Sequence, residues 1–169
     1  MSTTDEIGKD AADATDELRD ATDELPLVAQ VRVIYGDTDQ MGMVYYGNYL
    51  RYFEIARTEF LRGAGAEYRA FEAAHGLRLP VVEATVNYRK PARYDDELAL
   101  HAAVPEMRKA SARFVYAIRR VADAALIATG HTVHACVSES GRVVRLPGPL
   151  RDALTARGAR PRLPRAPGT

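Results

Sequence analysis

Two aspartates, Asp37 and Asp39, stand two residues apart in the run Tyr35-Gly36-Asp37-Thr38-Asp39-Gln40-Met41-Gly42-Met43-Val44-Tyr45-Tyr46-Gly47-Asn48-Tyr49. A segment with helical periodicity follows immediately. The first amides of a helix have no internal acceptor, and the helix dipole adds partial positive charge there. Such an end stabilises a carboxylate or a developing oxyanion. A carboxylate beside it can act as a nucleophile or as the base for a water. Together the two features describe acyl-transfer hydrolysis. Acids that merely cap a helix and brace its loop give the same D-x-D pattern, so the motif alone is a weak signal.

The helix is legible from Tyr46, Tyr49, Phe53, Ala56 and Phe60, spaced by three and four, with Arg51, Glu54, Thr58 and Arg62 elsewhere on the cylinder. Leu50, Arg57 and Leu61 widen the stripe, and Gly63 and Gly65 end it. A valine-rich strand over residues 27–35 precedes the loop. A short second helix is predicted over 66–74, then strands over 79–88, 98–104, 113–121 and 125–138. A hairpin near Gly141 and a last helix over 149–156 complete the reading. Short turns join the later strands, which makes them antiparallel. One apolar helix needs a curved sheet around it to bury its stripe, so the fold class is α+β, an antiparallel sheet wrapped around a long central helix.

The 169 residues suit one domain, and 47% hydrophobic content is enough for a core. Lysine plus arginine equals aspartate plus glutamate at 23 each, so bulk charge predicts neither nucleic-acid nor membrane-surface binding. The charge is nonetheless segregated. Residues 1–25 are acidic and repeat Ala-Thr-Asp-Glu-Leu at 14–18 and 21–25; they read as a disordered or transiently helical tail. The folded domain is predicted over 26–156, and residues 157–169, rich in arginine and proline, as a loose tail. Cys136 is the only cysteine, which excludes an intramolecular disulfide and a thiolate cluster. With neither a secretory signal nor an apolar run near ~20 residues, a cytoplasmic protein without a membrane span is expected.

Other groups could carry chemistry. Glu54 and Glu59 lie on the helix, Glu54 on its polar side, where it reads as an exposed residue or the partner of an ion pair with Arg57. Arg108, Lys109, Ser111 and Arg113 cluster at a hairpin, and Arg89, Lys90 and Arg93 form a second basic group. His131 and His134 are three apart on a strand and therefore face opposite ways, which argues against a shared metal. The sequence has no G-x-S-x-G elbow, phosphate loop or dinucleotide fingerprint.

The run from Gly36 to Glu59 resembles the signature of the 4-hydroxybenzoyl-CoA thioesterase family, which includes the Tol-Pal-associated acyl-CoA thioesterases. Pro80-Val81-Val82 and Pro91-Ala92-Arg93-Tyr94-Asp95-Asp96-Glu97-Leu98 extend the likeness, which covers about residues 28–138. The resemblance implies a hotdog fold and hydrolysis of an acyl-CoA or acyl-carrier-protein thioester. It makes Asp39 the catalytic carboxylate, as nucleophile or as general base, and leaves Asp37 to shape the loop. It assigns the carbonyl-polarising donor to the backbone N–H of Tyr46, with that of Gly47 next to it. It favours Arg108, Lys109, Ser111 and Arg113 as contacts for coenzyme A phosphates, over a plain solvated turn. No cofactor is implied, since coenzyme A is part of the substrate. A homodimer or homotetramer with its site at a subunit interface is expected. Tyr46 stands where the Tol-Pal branch usually has histidine and the aryl-CoA branch tyrosine. Two other readings are a hotdog hydratase or dehydratase, against which Tyr46 counts, and a non-catalytic acyl-CoA-binding module, against which Asp39 counts.

Overall fold

The computed structural model of the protein describes residues 25–66, 68–158 and 160–161. Apart from Leu25, the acidic repeat lies outside these residues. In chain order the elements are β1 (Leu27–Arg32), a 3-10 turn (Tyr35–Asp37), α1 (Asn48–Gly63), α2 (Tyr68–His75), β2 (Leu77–Arg78), β3 (Val81–Tyr88), β4 (Glu97–Met107), β5 (Ser111–Arg120), β6 (Leu126–Ala135), β7 (Val137–Ser138), α3 (Gly148–Ala156) and β8 (Arg160–Pro161).

The main sheet runs β1-β4-β5-β6-β3, and every neighbour on that path is antiparallel. Alternation sets its inner face. Leu98, Leu100, Ala102 and Val104 of β4 are buried, and so are Ala112, Phe114, Tyr116 and Ile118 of β5. Helix α1 lies on this face and buries Tyr49, Tyr52, Phe53, Ala56, Phe60 and Leu61. Phe53 stacks on Tyr116 with ring centroids 4.3 Å apart, and Phe60 meets Phe114 edge-on. Each large apolar side chain removed from water contributes about 1.5–3 kcal/mol, so this helix–sheet seam is the main source of stability. The α+β wrap expected of a hotdog is the architecture present.

Details of the elements differ from the sequence expectation for physical reasons. The first strand stops at Arg32, because the chain turns through Tyr35–Asp37 to start the aspartate loop. The stripe of α1 begins at Tyr49 rather than Tyr46, and Leu50 faces solvent. The helix closes with the N–H of Ala66 on the Leu61 carbonyl and that of Gly65 on Arg62, a six-to-one and five-to-two pair. Gly65 takes the left-handed conformation (φ 73°) this closure needs. The last long strand breaks at Cys136: β7 leaves the main sheet and pairs with β2. The Arg157 guanidinium lies 4.7 Å from the Phe60 ring centre, and Arg160–Pro161 pair in parallel with Glu106 and Met107 of β4.

Candidate active site

The aspartate loop is a small hairpin. Thr38 bridges Val44, the Asp39 N–H donates to the Met43 carbonyl at 2.9 Å, and the Tyr45 N–H donates to the Asp37 carbonyl at 2.8 Å. Gly42 sits at its tip with φ 72°, a conformation costly for any residue bearing a Cβ. The second stretch singled out in the sequence, residues 91–98, packs directly behind it. Val44 donates to the Ala92 carbonyl at 2.8 Å, Arg93 reaches the Gly42 carbonyl at 3.2 Å, and Tyr94 stacks on Tyr35 at 3.9 Å. Two motifs distant in sequence therefore form one scaffold.

The two aspartates have separate environments. Asp37 is 4% exposed, and its carboxylate accepts from Arg51, from the Tyr52 hydroxyl at 2.8 Å and from the Ile34 N–H at 3.4 Å. The Asn48 side chain holds its carbonyl at 2.9 Å. Burial, and then the hydrogen bond to Asp37, push the Tyr52 phenol far above its ordinary range, so it stays a donor. Asp39 is partly exposed, and its Oδ1 accepts from the Met41 N–H at 2.8 Å. Its Oδ2 has no partner among the described residues.

Beyond the hairpin the chain makes one tight turn before α1, with Asn48 N–H on the Tyr45 carbonyl at 2.9 Å and Tyr49 N–H on that of Tyr46 at 3.4 Å. Tyr46 thus lies two residues ahead of the helix, and Gly47 is its N-cap. Neither the Tyr46 nor the Gly47 N–H has an acceptor among the described residues. The Tyr46 side chain is 63% exposed. Beside this turn opens a cavity of about 290 Å³ walled by Met43, Val44, Tyr46, Tyr49, Tyr88 and Pro91, with Arg89 and Lys90 also lining it. A carboxylate with one oxygen unspent, two unspent amides and an aromatic cavity beside their turn are parts that hydrolysis of an acyl group can use.

The sequence profile of the thioesterase-like superfamily matches residues 33–156. The chain belongs to that superfamily. An Aquifex aeolicus protein named as an esterase is 32% identical over 130 residues, 77% of this chain and 98% of that one. An acyl-CoA thioester hydrolase of Escherichia coli is 40% identical over 88 residues, 52% of this chain and 65% of that one. The crystal structure of a DHNA-CoA thioesterase from Staphylococcus aureus superposes with a TM-score of 0.72 at 28% identity, covering 76% of this chain and 87% of that one. The protein is a thioesterase of hotdog fold.

The remaining sequence candidates of this thioesterase fall elsewhere. Arg108, Ser111 and Arg113 line a polar recess of about 110 Å³ together with Glu83, Glu106 and Val133. Arg108 is paired with Glu106 at 3.2 Å, while the Lys109 carbonyl accepts from Leu146. The register sets Val133 opposite Glu83 and Ala128 opposite Tyr88, so this recess and the cavity lie five residues apart along β3. That is about 17 Å at 3.3 Å per residue, and the chain does not bring the two together. Glu59 pairs with Arg62, and Glu54 is exposed.

Of the two alternatives for Glu54 the exposed one holds, and Arg57 turns instead into a partly buried network. Arg57 donates to His134 Nε2 at 3.0 Å, and Thr132 Oγ1 lies 2.9 Å from the same nitrogen. His134 Nδ1 lies 2.9 Å from the Leu79 carbonyl, which fixes the proton on Nδ1. Tyr116 in turn bonds Thr132 at 2.7 Å. Burial, with Arg57 adding to it, holds the His134 imidazole neutral down to about 4. Burial pushes the Tyr116 phenol up to about 12. His131 turns to the other face and pairs with Glu83. Sequence reading missed this network and the cavity wall at Tyr88. Arg57 on an otherwise apolar stripe was the available signal for the first, whereas Tyr88 carried none without the strand register.

Proposed function

We propose that this thioesterase hydrolyses acyl-CoA thioesters at the helix mouth, with Asp39 as its carboxylate and the N–H groups of Tyr46 and Gly47 as carbonyl donors. What carries this reading is the contrast between the aspartates: Asp37 is spent on Arg51 and Tyr52, whereas Asp39, on the same hairpin that leads into the helix, keeps an oxygen free. As a base, Asp39 takes a proton from water while the oxygen attacks the thioester carbon. The carbonyl becomes an oxyanion held by the N–H donors, then collapses and expels the thiolate, which takes up the proton. As a nucleophile, Asp39 attacks first, the thiolate leaves, and water hydrolyses the resulting anhydride. The names of the relatives, an acyl-CoA hydrolase and a DHNA-CoA thioesterase, favour coenzyme A over a carrier protein as the thiol.

Arg108, Lys109, Ser111 and Arg113 remain the proposed contacts for the coenzyme A phosphates. Their separation from the cavity at the helix mouth, about 17 Å along β3 at 3.3 Å per residue, fits a site shared between two copies. Edge strand β3 exposes Val81 and Val82, an apolar edge that pairing with a second copy would cover. A homodimer or homotetramer follows, measurable by light scattering.

The deciding experiment is a thiol-release assay over short, long and aromatic acyl-CoA substrates with Asp39→Asn in parallel. Turnover should fall by a factor on the order of 100 or more in the variant. Undiminished turnover would remove Asp39 from the mechanism. Single-turnover hydrolysis in oxygen-18 water separates the two routes, since label recovered in Asp39 marks the anhydride.

A further inference from the structure

Tyr88 ends β3, the edge strand, and its side chain makes two contacts with the helix mouth. Its hydroxyl donates to the Tyr46 carbonyl at 3.0 Å, and its ring meets that of Tyr49 edge-on at 5.3 Å. The Tyr46 carbonyl and the Gly47 N–H are opposite ends of one planar trans peptide. A donor on the oxygen fixes the plane of that peptide, and it draws electron density from the nitrogen, making the N–H a stronger donor. The neighbouring peptide shows the same arrangement by other means: its N–H belongs to Tyr46, and its carbonyl, that of Tyr45, accepts from Asn48 at 2.9 Å. Each unspent N–H therefore sits on a peptide whose carbonyl is already held. The Tyr46 N–H is backed by main chain alone. The Gly47 N–H is backed mainly by a side chain from another element, because the helical bond to the same carbonyl is long at 3.4 Å.

We propose that Tyr88 is a positioning residue for the reaction: it holds and polarises the 46–47 peptide so that the Gly47 N–H serves as a second oxyanion donor beside that of Tyr46. The proposal rests on the reading of the helix mouth as the site of hydrolysis. It differs from a role for Tyr88 as mere cavity wall, which Tyr88→Phe would preserve.

Gly47 offers a direct way to delete the donor. Its φ of −66° is the value proline imposes, so Gly47→Pro removes the N–H while keeping the backbone angle. A Cβ there would come within 2.8 Å of the Tyr45 ring, a side chain that must swing aside. Gly47→Ala imposes the same Cβ but keeps the N–H, so it sets the reference rate. The test is steady-state hydrolysis of benzoyl-CoA and hexanoyl-CoA by the full chain carrying Tyr88→Phe, Gly47→Ala, Gly47→Pro, or Gly47→Pro with Tyr88→Phe. Tyr88→Phe should lower kcat about 10-fold with KM within about two-fold, and Gly47→Pro should lower kcat about 100-fold relative to Gly47→Ala. Adding Tyr88→Phe to Gly47→Pro should then cost nothing further, because the donor that Tyr88 serves is already gone. An unchanged kcat in Tyr88→Phe, or the same loss in both Gly47 backgrounds, overturns the proposal. Loss of turnover in Asp39→Asn alongside an unaffected Tyr88→Phe would sink only the role of Tyr88, whereas full turnover in Asp39→Asn would sink the site. Should Gly47→Pro not fold, the Gly47 amide nitrogen resonance in glycine-labelled protein decides. It should move upfield in Tyr88→Phe, and an unmoved resonance overturns the proposal.

Discussion

Tyr52 donates its hydroxyl to Asp37 Oδ2 across 2.8 Å, inside the seam between α1 and the aspartate loop. The bond ties the fourth and fifth residues of the helix, through Tyr52 and its neighbour Arg51, to the loop that presents Asp39. Asp37 is thus held in a structural network, and Asp39 is the acid proposed for the chemistry, although the sequence presents them as a matched pair.

The two should separate cleanly on mutation. Asp37→Asn leaves Arg51 and Tyr52 facing a neutral amide, and removing one partner from a buried charged network typically costs about 2–4 kcal/mol. Asp39→Asn breaks no ion pair among the described residues and should stay within about 0.5 kcal/mol of the parent. Urea unfolding beside the thiol-release assay reads both. A stable Asp37→Asn protein paired with an unstable Asp39→Asn protein would reverse the assignment.

Much of this fold was legible because periodicity and turn chemistry are local. The α1 stripe from Tyr49 to Leu61, its stop at Gly63 and Gly65, and the strand alternation over Leu98–Val104 all follow from spacing. The Asp39 loop was legible as a motif, but the division of labour between its aspartates depends on Arg51 and Tyr52 folding back on one of them. The cavity wall at Tyr88 and the Arg57–His134 contact join residues 42 and 77 positions apart. They depend on which distant elements the fold brings together, which spacing within one segment does not encode.

His134 should leave a mark on acid stability. In the unfolded chain its imidazole takes a proton near the usual 6.5, whereas in the fold, buried and beside Arg57, it resists until about 4. Between those values only the unfolded chain gains the proton, so stability is full above about 6.5 and falls as pH drops toward 4. The loss from this group should be about 2 kcal/mol between pH 7 and 5. Denaturant midpoints across that range should fall for the parent and stay flatter for His134→Gln. Parallel slopes would show that the imidazole is protonated as readily in the fold as outside it.

Gly130 tests how tightly the helix sits on the sheet. A Cβ there would lie 2.1 Å from the Thr85 carbonyl on β3 and 2.6 Å from the Phe53 ring of α1. The ring can tilt, but the carbonyl cannot withdraw without parting β3 from β6, since Val86 pairs with Gly130 itself. Gly130→Ala should therefore destabilise by about 3 kcal/mol, the upper range for overpacking. Its thermal midpoint is the readout, and an alanine variant as stable as the parent would mean the two strands sit further apart than described.

The basic recess at Arg108 and Arg113 should matter for the nucleotide end of the substrate and not for the chemistry. Its charges are already partly met: Glu106 holds Arg108, and Glu83 lies in the same recess, its carboxyl kept below the ordinary range chiefly by His131. Partial neutralisation makes each phosphate contact worth about 1 kcal/mol rather than the 1.5–3 of an undiluted charge-assisted bond. Replacing both Arg108 and Arg113 by glutamine removes about 2 kcal/mol and should thus raise KM for an acyl-CoA about 30-fold while leaving kcat within about two-fold. The same acyl group on pantetheine, which lacks the nucleotide phosphates, should show no such rise. Added salt should erode the parent's advantage on acyl-CoA alone, because screening weakens exposed charge pairs. An equal KM rise on both thioesters would mean that the substitutions disturb β5, and an unchanged KM on acyl-CoA would move the phosphates away from this recess.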